Sequence, residues 1–286
     1  MSIKIAVKSM LKALLSSLQP KTIIQAVITQ LAPNELLKDR CALVTGGTSG
    51  IGLAIAEAYL KSGAKVIITG RSEKRLQKAI EDLSVYGECC GVIMDITNTE
   101  TIDKAFQKAV SKYGKIDILV NNAGVSGATI ADATPEEFDK VLDTNLKGVF
   151  FLSQVVGKYM IKNNIYGNIL NISSASSIRP AACAYTISKW GIRGFTLGLA
   201  RTLLPYGIVV NALAPGPTAT PLLNKNANSD DLALPRTPSG RFALPMEIAN
   251  MAVVLVSNMS RLVVGDTVFM TGGAGNVNNG DIDYNI

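Results

Sequence analysis

The feature that most constrains this chain is an alternation that begins at Arg40. Short apolar runs of about five residues are followed, again and again, by helical stretches of 10–20 residues. The apolar runs are Cys41–Thr45, Lys65–Thr69, Gly91–Met94, Ile116–Val120, Asn168–Ile172, Ile208–Leu213 and Thr267–Thr271. Helical periodicity marks Ile51–Ser62, Glu73–Leu83, Ile102–Lys112, Asp139–Met160, Tyr185–Leu204 and Ile248–Ser257. Strands alternating with helices predict an α/β fold: one doubly wound parallel sheet of about seven strands, with helices on both faces. The 286 residues, 48% of them hydrophobic, suffice for one large core.

The chain contains no histidine. This excludes a Ser-His-Asp or Cys-His hydrolase and any His-ligated metal centre, and no metal site is expected. Proton transfer near neutral pH then falls to Tyr, Lys, Asp, Glu or Cys with a shifted pKa. The four cysteines, Cys41, Cys89, Cys90 and Cys183, form no C-x-x-C pair and suit a reduced, cytoplasmic chain. The net charge is +6, but residues 1–38 hold five lysines against one glutamate. The rest of the chain is nearly balanced, which does not argue for a nucleic-acid partner.

Three segments follow from these patterns: an extension over 1–38, an α/β body over 39–275, which the motifs below make the expected dinucleotide-binding catalytic domain, and a tail over 276–286. In the extension Lys4, Lys8 and Lys12 share one helical face, and Ile3, Val7, Leu11, Leu14 and Leu18 occupy much of the remainder. It reads as an amphipathic helical segment. Packing on the body or a sister subunit, peripheral membrane contact through residues 1–31, and organelle targeting all stay open.

The first apolar run leads into Gly46-Gly-Thr-Ser-Gly-Ile-Gly52 and then a helix. A strand, a glycine turn and a helix N-terminus together offer backbone N–H groups and a dipole to a phosphate. A Walker loop is excluded because Leu53 stands where its lysine belongs. The second strand ends at Gly70-Arg71. An acidic residue there would accept from a ribose 2′-hydroxyl, whereas a guanidinium suits a 2′-phosphate. This favours NADP(H), with NAD(H) as the alternative, and a merely solvated arginine after the strand stays open.

Tyr185 and Lys189 stand at i, i+4 on one helix face. Bringing a phenol from its ordinary ~10 toward neutrality takes about 4 kcal/mol. One ammonium at ~4 Å supplies that much at an effective dielectric of ~20. Ser173 and Ser174 follow the strand Asn168–Ile172, and Asn121-Asn122-Ala123-Gly124 follows Ile116–Val120. Both therefore lie at the strand ends where open parallel sheets bind ligands. Asn145 sits within a helical run, either as a surface or capping residue or as a polar link between backbone, water and Lys189.

The ordered set Thr45–Gly52, Asp95-Ile96, Asn121–Gly124, Ser174, Tyr185-x-x-x-Lys189 and Pro215-Gly216 closely resembles the short-chain dehydrogenase/reductase family. The likeness is to the compact oxidoreductases that include oxoacyl-carrier-protein reductases and hydroxysteroid dehydrogenases, and it spans about residues 38–275. It implies a catalytic tetrad of Asn145, Ser174, Tyr185 and Lys189, with Ser173 as the alternative serine. Coenzyme contacts are implied for Gly46, Thr48, Ser49, Gly50, Ile51 and Gly52 in the turn, Arg71, Asp95 and Ile96 at the adenine side, and Asn122, Ala123 and Gly124 at the ribose. Pro215, Gly216, Thr218 and Thr220 would meet the nicotinamide end, which Tyr185 and Lys189 also border.

Residues 217–243 would form a substrate loop, and a homo-oligomer, dimer or tetramer, is expected. The implied reaction interconverts a carbonyl and a secondary alcohol on a hydrophobic small molecule, whether steroid, terpenoid or acyl-type. A nucleotide-binding sensor or scaffold on the same fold is the competing reading. Two departures mark this chain: the Ser174–Tyr185 interval is two residues shorter than is usual, and Thr271 precedes Gly272-Gly273 where the family often has Asp.

Overall fold

The computed structural model describes residues 33–225, 227, 232–275 and 277. The expectations for residues 1–31 and for the tail beyond 277 lie outside the described residues, as do 226 and 228–231 of the expected substrate loop. Seven parallel strands form one sheet: β1 (Cys41–Thr45), β2 (Lys65–Gly70), β3 (Cys89–Ile93), β4 (Ile118–Asn121), β5 (Asn168–Ile172), β6 (Val209–Pro215) and β7 (Thr267–Met270). Their order is β3-β2-β1-β4-β5-β6-β7. The chain winds outward from β1 to β3, then crosses back to place β4 beside β1. That reversal opens a crevice at the C-terminal ends of β1 and β4.

The central strands read as continuous apolar runs because both faces are covered. Alternate residues of β1 serve two cores. Ala42 and Val44 join Ile55, Tyr59, Ile248 and Leu255 on one side. Cys41 and Leu43 join Phe106, Leu152, Val156 and Met160 on the other. The first layer is built by α1 (Gly50–Lys61) and α2 (Glu73–Leu83), with α7 (Pro245–Val256) packed on α1. The buried Tyr59 hydroxyl of α1 donates to Ala252 O of α7 at 3.1 Å. The second layer holds α3 (Ile102–Tyr113), α4 (Pro135–Leu142), α5 (Gly148–Lys162) and α6 (Ala184–Leu203). Leu37, on the extension side of the division at 38, is fully buried in the first core.

The long helix expected over Asp139–Met160 is three pieces. Helix α4 starts at Pro135 behind a Thr134/Glu137 capping box. A π-helical turn then spans Asp143–Lys147, and α5 follows. Gly148 opens α5 because the backbone passes close to β3's exit: a Cβ there would lie 2.4 Å from Ile96 O. Strand β3 pairs from Cys89, two residues before the apolar run suggests, through Val66↔Cys89 and Ile67↔Cys90.

Candidate active site

At the C-terminal edge of the sheet lies a cleft of about 760 Å³. Its walls take in Gly46, Thr48, Ser49, Gly50, Ile51, Arg71, Asp95, Ile96, Asn122, Ala123 and Gly124 from the β1–β4 half. Ser174, Tyr185, Lys189, Pro215, Gly216, Thr218 and Thr220 come from the β5–β6 half. Gly52 and Asn145 do not line it and support it from behind.

The glycine turn is held from beneath. Gly46 and Gly50 have φ of +63° and +56°, the left-handed region that glycine tolerates. Thr45 Oγ1 accepts from the N–H groups of Asn122 and Ala123 at 3.0 and 3.1 Å. Asn122 Nδ2 donates to Thr45 O at 2.9 Å and Gly46 O at 3.2 Å. Its amide nitrogen is thus committed to the turn. At Gly52 a Cβ would fall 2.3 Å from that same Nδ2, so α1 approaches β4's exit only without a side chain. The α1 N-terminus opens into the cleft with Ser49 exposed and making no side-chain cap bond.

Beyond β2, the exposed Arg71 lines the cleft together with Ser72 and Arg75. The last two escaped the sequence reading. Ser72 caps α2 by accepting from Arg75 N at 3.5 Å, so Arg75 stands one turn into the helix and reaches the same rim. The signal was present as a serine followed by a basic residue three positions on, at the start of a periodic run. Asp95 accepts from Thr97 N and Thr97 Oγ1 at 3.0 and 2.8 Å, a local turn that holds its carboxylate at the cleft wall.

On the opposite wall, β5 ends at Ile172, and Ser174 caps the short 3-10 helix Ala175–Ile178 by accepting from Ser176 N at 3.1 Å. That bond uses an acceptor lone pair and leaves the hydroxyl hydrogen to donate. Ser173 Oγ instead donates to Lys189 O at 3.3 Å, turned toward α6. Helix α6 begins one residue before Tyr185, which shares a hydrogen bond with Ser174. Lys189, 5% exposed, donates from Nζ to Ile172 O at 2.8 Å and lies 5.6 Å from the Tyr185 ring centroid.

The electrostatics differ from the simple expectation that Lys189 lowers Tyr185. Burial pushes the Tyr185 phenol above its ordinary value, the Ser174 hydrogen bond pulls it back, and Cys183 adds a smaller upward push. Burial also brings the Lys189 ammonium down to about 8. Each group is drawn toward its neutral form because the wall around the pair is poorly hydrated. Near pH 7 the lysine still carries its proton.

Asn145, 1% exposed, lies in the π-helical turn. Its Oδ1 accepts from Val125 N at 2.8 Å, and its Nδ2 donates to Val125 O at 2.9 Å and Ser188 Oγ at 3.2 Å. Ser188 Oγ in turn donates to Tyr185 O at 2.6 Å. Asn145 therefore ties the loop after β4 to the first turn of α6. The link to Lys189 read from the sequence is not a direct one. Thr220 Oγ1 donates to Thr218 O at 3.3 Å, and its side chain packs near Gly50, bringing the segment after β6 against the glycine turn.

Residues 40–231 match the model of a family described as short chain dehydrogenase. Among curated relatives, the 3-oxoacyl-[acyl-carrier-protein] reductase FabG of Thermotoga maritima is 37% identical over 242 residues, covering 83% of this chain and 98% of that protein. The 3alpha-hydroxysteroid dehydrogenase of Mediterraneibacter gnavus is 37% identical over 246 residues, with 84% and 98% covered. Among solved structures, an actinorhodin polyketide ketoreductase variant with NADPH superposes with a TM-score of 0.76 at 34% identity, covering 83% of this chain and 97% of that one. A 3-ketoacyl-(acyl-carrier-protein) reductase from Brucella melitensis complexed with NADH gives 0.75 at 30%, covering 84% and 99%.

Proposed function

The chain belongs to the short-chain dehydrogenase family and is an NAD(P)-dependent oxidoreductase, and from that premise we propose that it is an NADP(H)-dependent ketoreductase. In this reading it interconverts a carbonyl and a secondary alcohol on a hydrophobic small molecule, with Tyr185 as acid and base. The observation that carries the reading is one cleft with two dissimilar walls. A glycine turn and helix N-terminus stand on one side, and Ser174, Tyr185 and Lys189 on the other.

The first wall fits a dinucleotide. Gly46 and Gly50 give the left-handed turns that bring the chain to the α1 N-terminus, where backbone N–H groups favour an anion. A reduced nicotinamide held there would supply the hydride for the carbonyl carbon. Ser174 donates to the carbonyl oxygen, and Tyr185 delivers its proton to that oxygen as negative charge develops on it. A phenol held neutral by burial is in the protonation state that a donor needs. Lys189 keeps a positive charge near the Tyr185 ring, would stabilise the phenolate left behind and would hold the ribose hydroxyls of a bound cofactor. Asn145 is a positioning residue for the first turn of α6 and the loop at Val125.

Arg71 and Arg75 support the choice of NADP(H), since neither has a carboxylate partner among the described residues and both rim the end of β2. Pro221, Leu222 and Leu223 supply the apolar lip that suits a hydrophobic substrate. The reading extends to a cytoplasmic enzyme that works as a homo-oligomer, consistent with four free cysteines and with no described helix long and apolar enough to cross a membrane.

The test is to titrate NADPH and NADH into the wild type and Arg71→Ala, and to follow absorbance with a panel of ketones. Tighter NADPH binding that falls about tenfold in the variant supports the cofactor assignment. An unchanged preference contradicts it. Binding of NADPH with no ketone reduced would favour a sensor on the same fold.

A further inference from the structure

A second pocket, about 450 Å³, adjoins the cleft beneath the substrate loop. It is lined by Arg179, Pro217, Arg236, Thr237 and Gly275, and Arg179 and Pro217 line the catalytic cleft as well. The two spaces therefore border each other at Arg179 and Pro217.

Its chemistry is set by two guanidiniums from different elements. Arg179 closes the 3-10 helix that starts at Ser174, and its backbone is fixed by Arg179 N donating to Ser176 O at 3.2 Å and by Trp190 Nε1 donating to Arg179 O at 2.8 Å. Gly275 lets the side chain lie close, since a Cβ there would stand 3.2 Å from Arg179 Nε. Arg236 sits in a built turn: Leu234 N donates to Gly240 O at 2.7 Å, Thr237 Oγ1 donates to Leu234 O at 2.8 Å, and Ser239 N donates to Gly272 O at 2.9 Å.

Neighbouring arginines are occupied in other ways. Arg241 grips Glu247 through two bonds of 2.8 and 2.7 Å, and Arg193 lies over the rings of Trp190 and Phe269. Arg179 and Arg236 have no carboxylate within ion-pair distance among the described residues. Two like charges set around one pocket repel each other, and a bound anion relieves that repulsion while satisfying fork-shaped donors.

We infer that this pocket holds an anionic group, a carboxylate or a phosphate, carried at the far end of the substrate whose carbonyl lies between Ser174 and Tyr185. The inference rests on the ketoreductase reading and narrows it: the substrate is a hydrophobic ketone with an anionic terminus. The shared chemistry is an oxyanion that two guanidiniums can grip. Arg236 is the cleaner residue to change, because it lines the second pocket and not the catalytic cleft.

The experiment follows NADPH consumption with three matched ketones of equal length, ending in a carboxylate, its methyl ester or a phosphate monoester. Wild type, Arg236→Gln and Arg236→Lys are compared at low and high salt. Wild type should favour at least one anionic ketone over the ester by about tenfold in kcat/KM, mostly through KM. Arg236→Gln should erase that preference, chiefly by raising KM for the anionic ketones, Arg236→Lys should keep part of it, and salt should weaken it. The better of the two anionic ketones identifies the oxyanion. Reduction of the ester with no preference for either anion overturns the anion pocket and leaves the reductase reading standing. Equal slowing of all three ketones by Arg236→Gln overturns it too, whereas failure to reduce any ketone takes away the reductase reading itself.

Discussion

Tyr185 and Lys189 show how far residue spacing reaches and where it stops. The i, i+4 interval put both on one helix face. It could not supply the 2.8 Å bond from Lys189 to Ile172 O, or the burial that sets both groups' proton affinities, because these depend on β5 lying beneath α6. A consequence can be measured. Lys189 is lowered from 10.5 to about 8, so between those values the unfolded chain binds more protons than the folded one. Stability from this group therefore rises with pH across that window, and its penalty is fully present below it. Comparing urea unfolding of wild type and Lys189→Met from pH 7.5 to 10.5 should show the variant's relative advantage shrinking by about 3 kcal/mol. The raised thiol of Cys41 and phenol of Tyr59 are common to both proteins and cancel. A difference independent of pH would refute the buried-ammonium account. Gly52→Ala belongs to the same scale. Its methyl group would strike Asn122 Nδ2 and Gly46 O, and an overpacking cost of about 1–3 kcal/mol should appear as weaker NADPH binding by calorimetry. Unchanged affinity would mean that the turn moves freely.

Among the elements, those with strong periodicity were legible nearly to the residue: β1, α2 and β5 fall where the apolar pattern puts them. The π-helical turn at Asp143–Lys147 was not. One extra residue in a turn leaves the apolar stripe almost intact on both sides, so a period of 3.6 reads straight through it. Its effect is to rotate Asn145 onto the Val125 backbone. Asn145→Ala would take these partners from the half-buried N–H and C=O of Val125, at about 1 kcal/mol for each bond. The expected outcome is a lower urea midpoint together with a fall in kcat that Asn145→Ser does not restore. A stable variant with full turnover would remove Asn145 from the positioning role. The side-chain partners of Asn121 and Asn171 were hidden for a related reason. The two asparagines form a buried ladder with Ser153 and Thr196 between β4, β5, α5 and α6, and nothing in the order of residues announces which polar side chains will meet.

At the scale of the whole molecule, the alternation of strands and helices was enough to specify a doubly wound sheet, and the β1–β4 reversal locates the cleft. The second pocket was not legible, because Arg179 and Arg236 are 57 positions apart and converge only through the fold. Helices α5 and α6 leave Phe150, Phe151, Trp190 and Leu197 exposed at 38–59%. Burying such a face is favourable by roughly 25 cal/mol per Å². The expected outcome in light scattering is a mass of at least two 30.2 kDa chains, reduced by Phe150→Glu. A monomer at micromolar concentration would contradict it. The most direct test of the account as a whole is the turnover of Tyr185→Phe on a ketone that the wild type reduces with NADPH. The ring stays, the cleft keeps its shape and only the donated proton is lost. The account predicts a kcat about 10²–10⁴-fold lower with NADPH affinity nearly unchanged, and turnover close to wild type would contradict it.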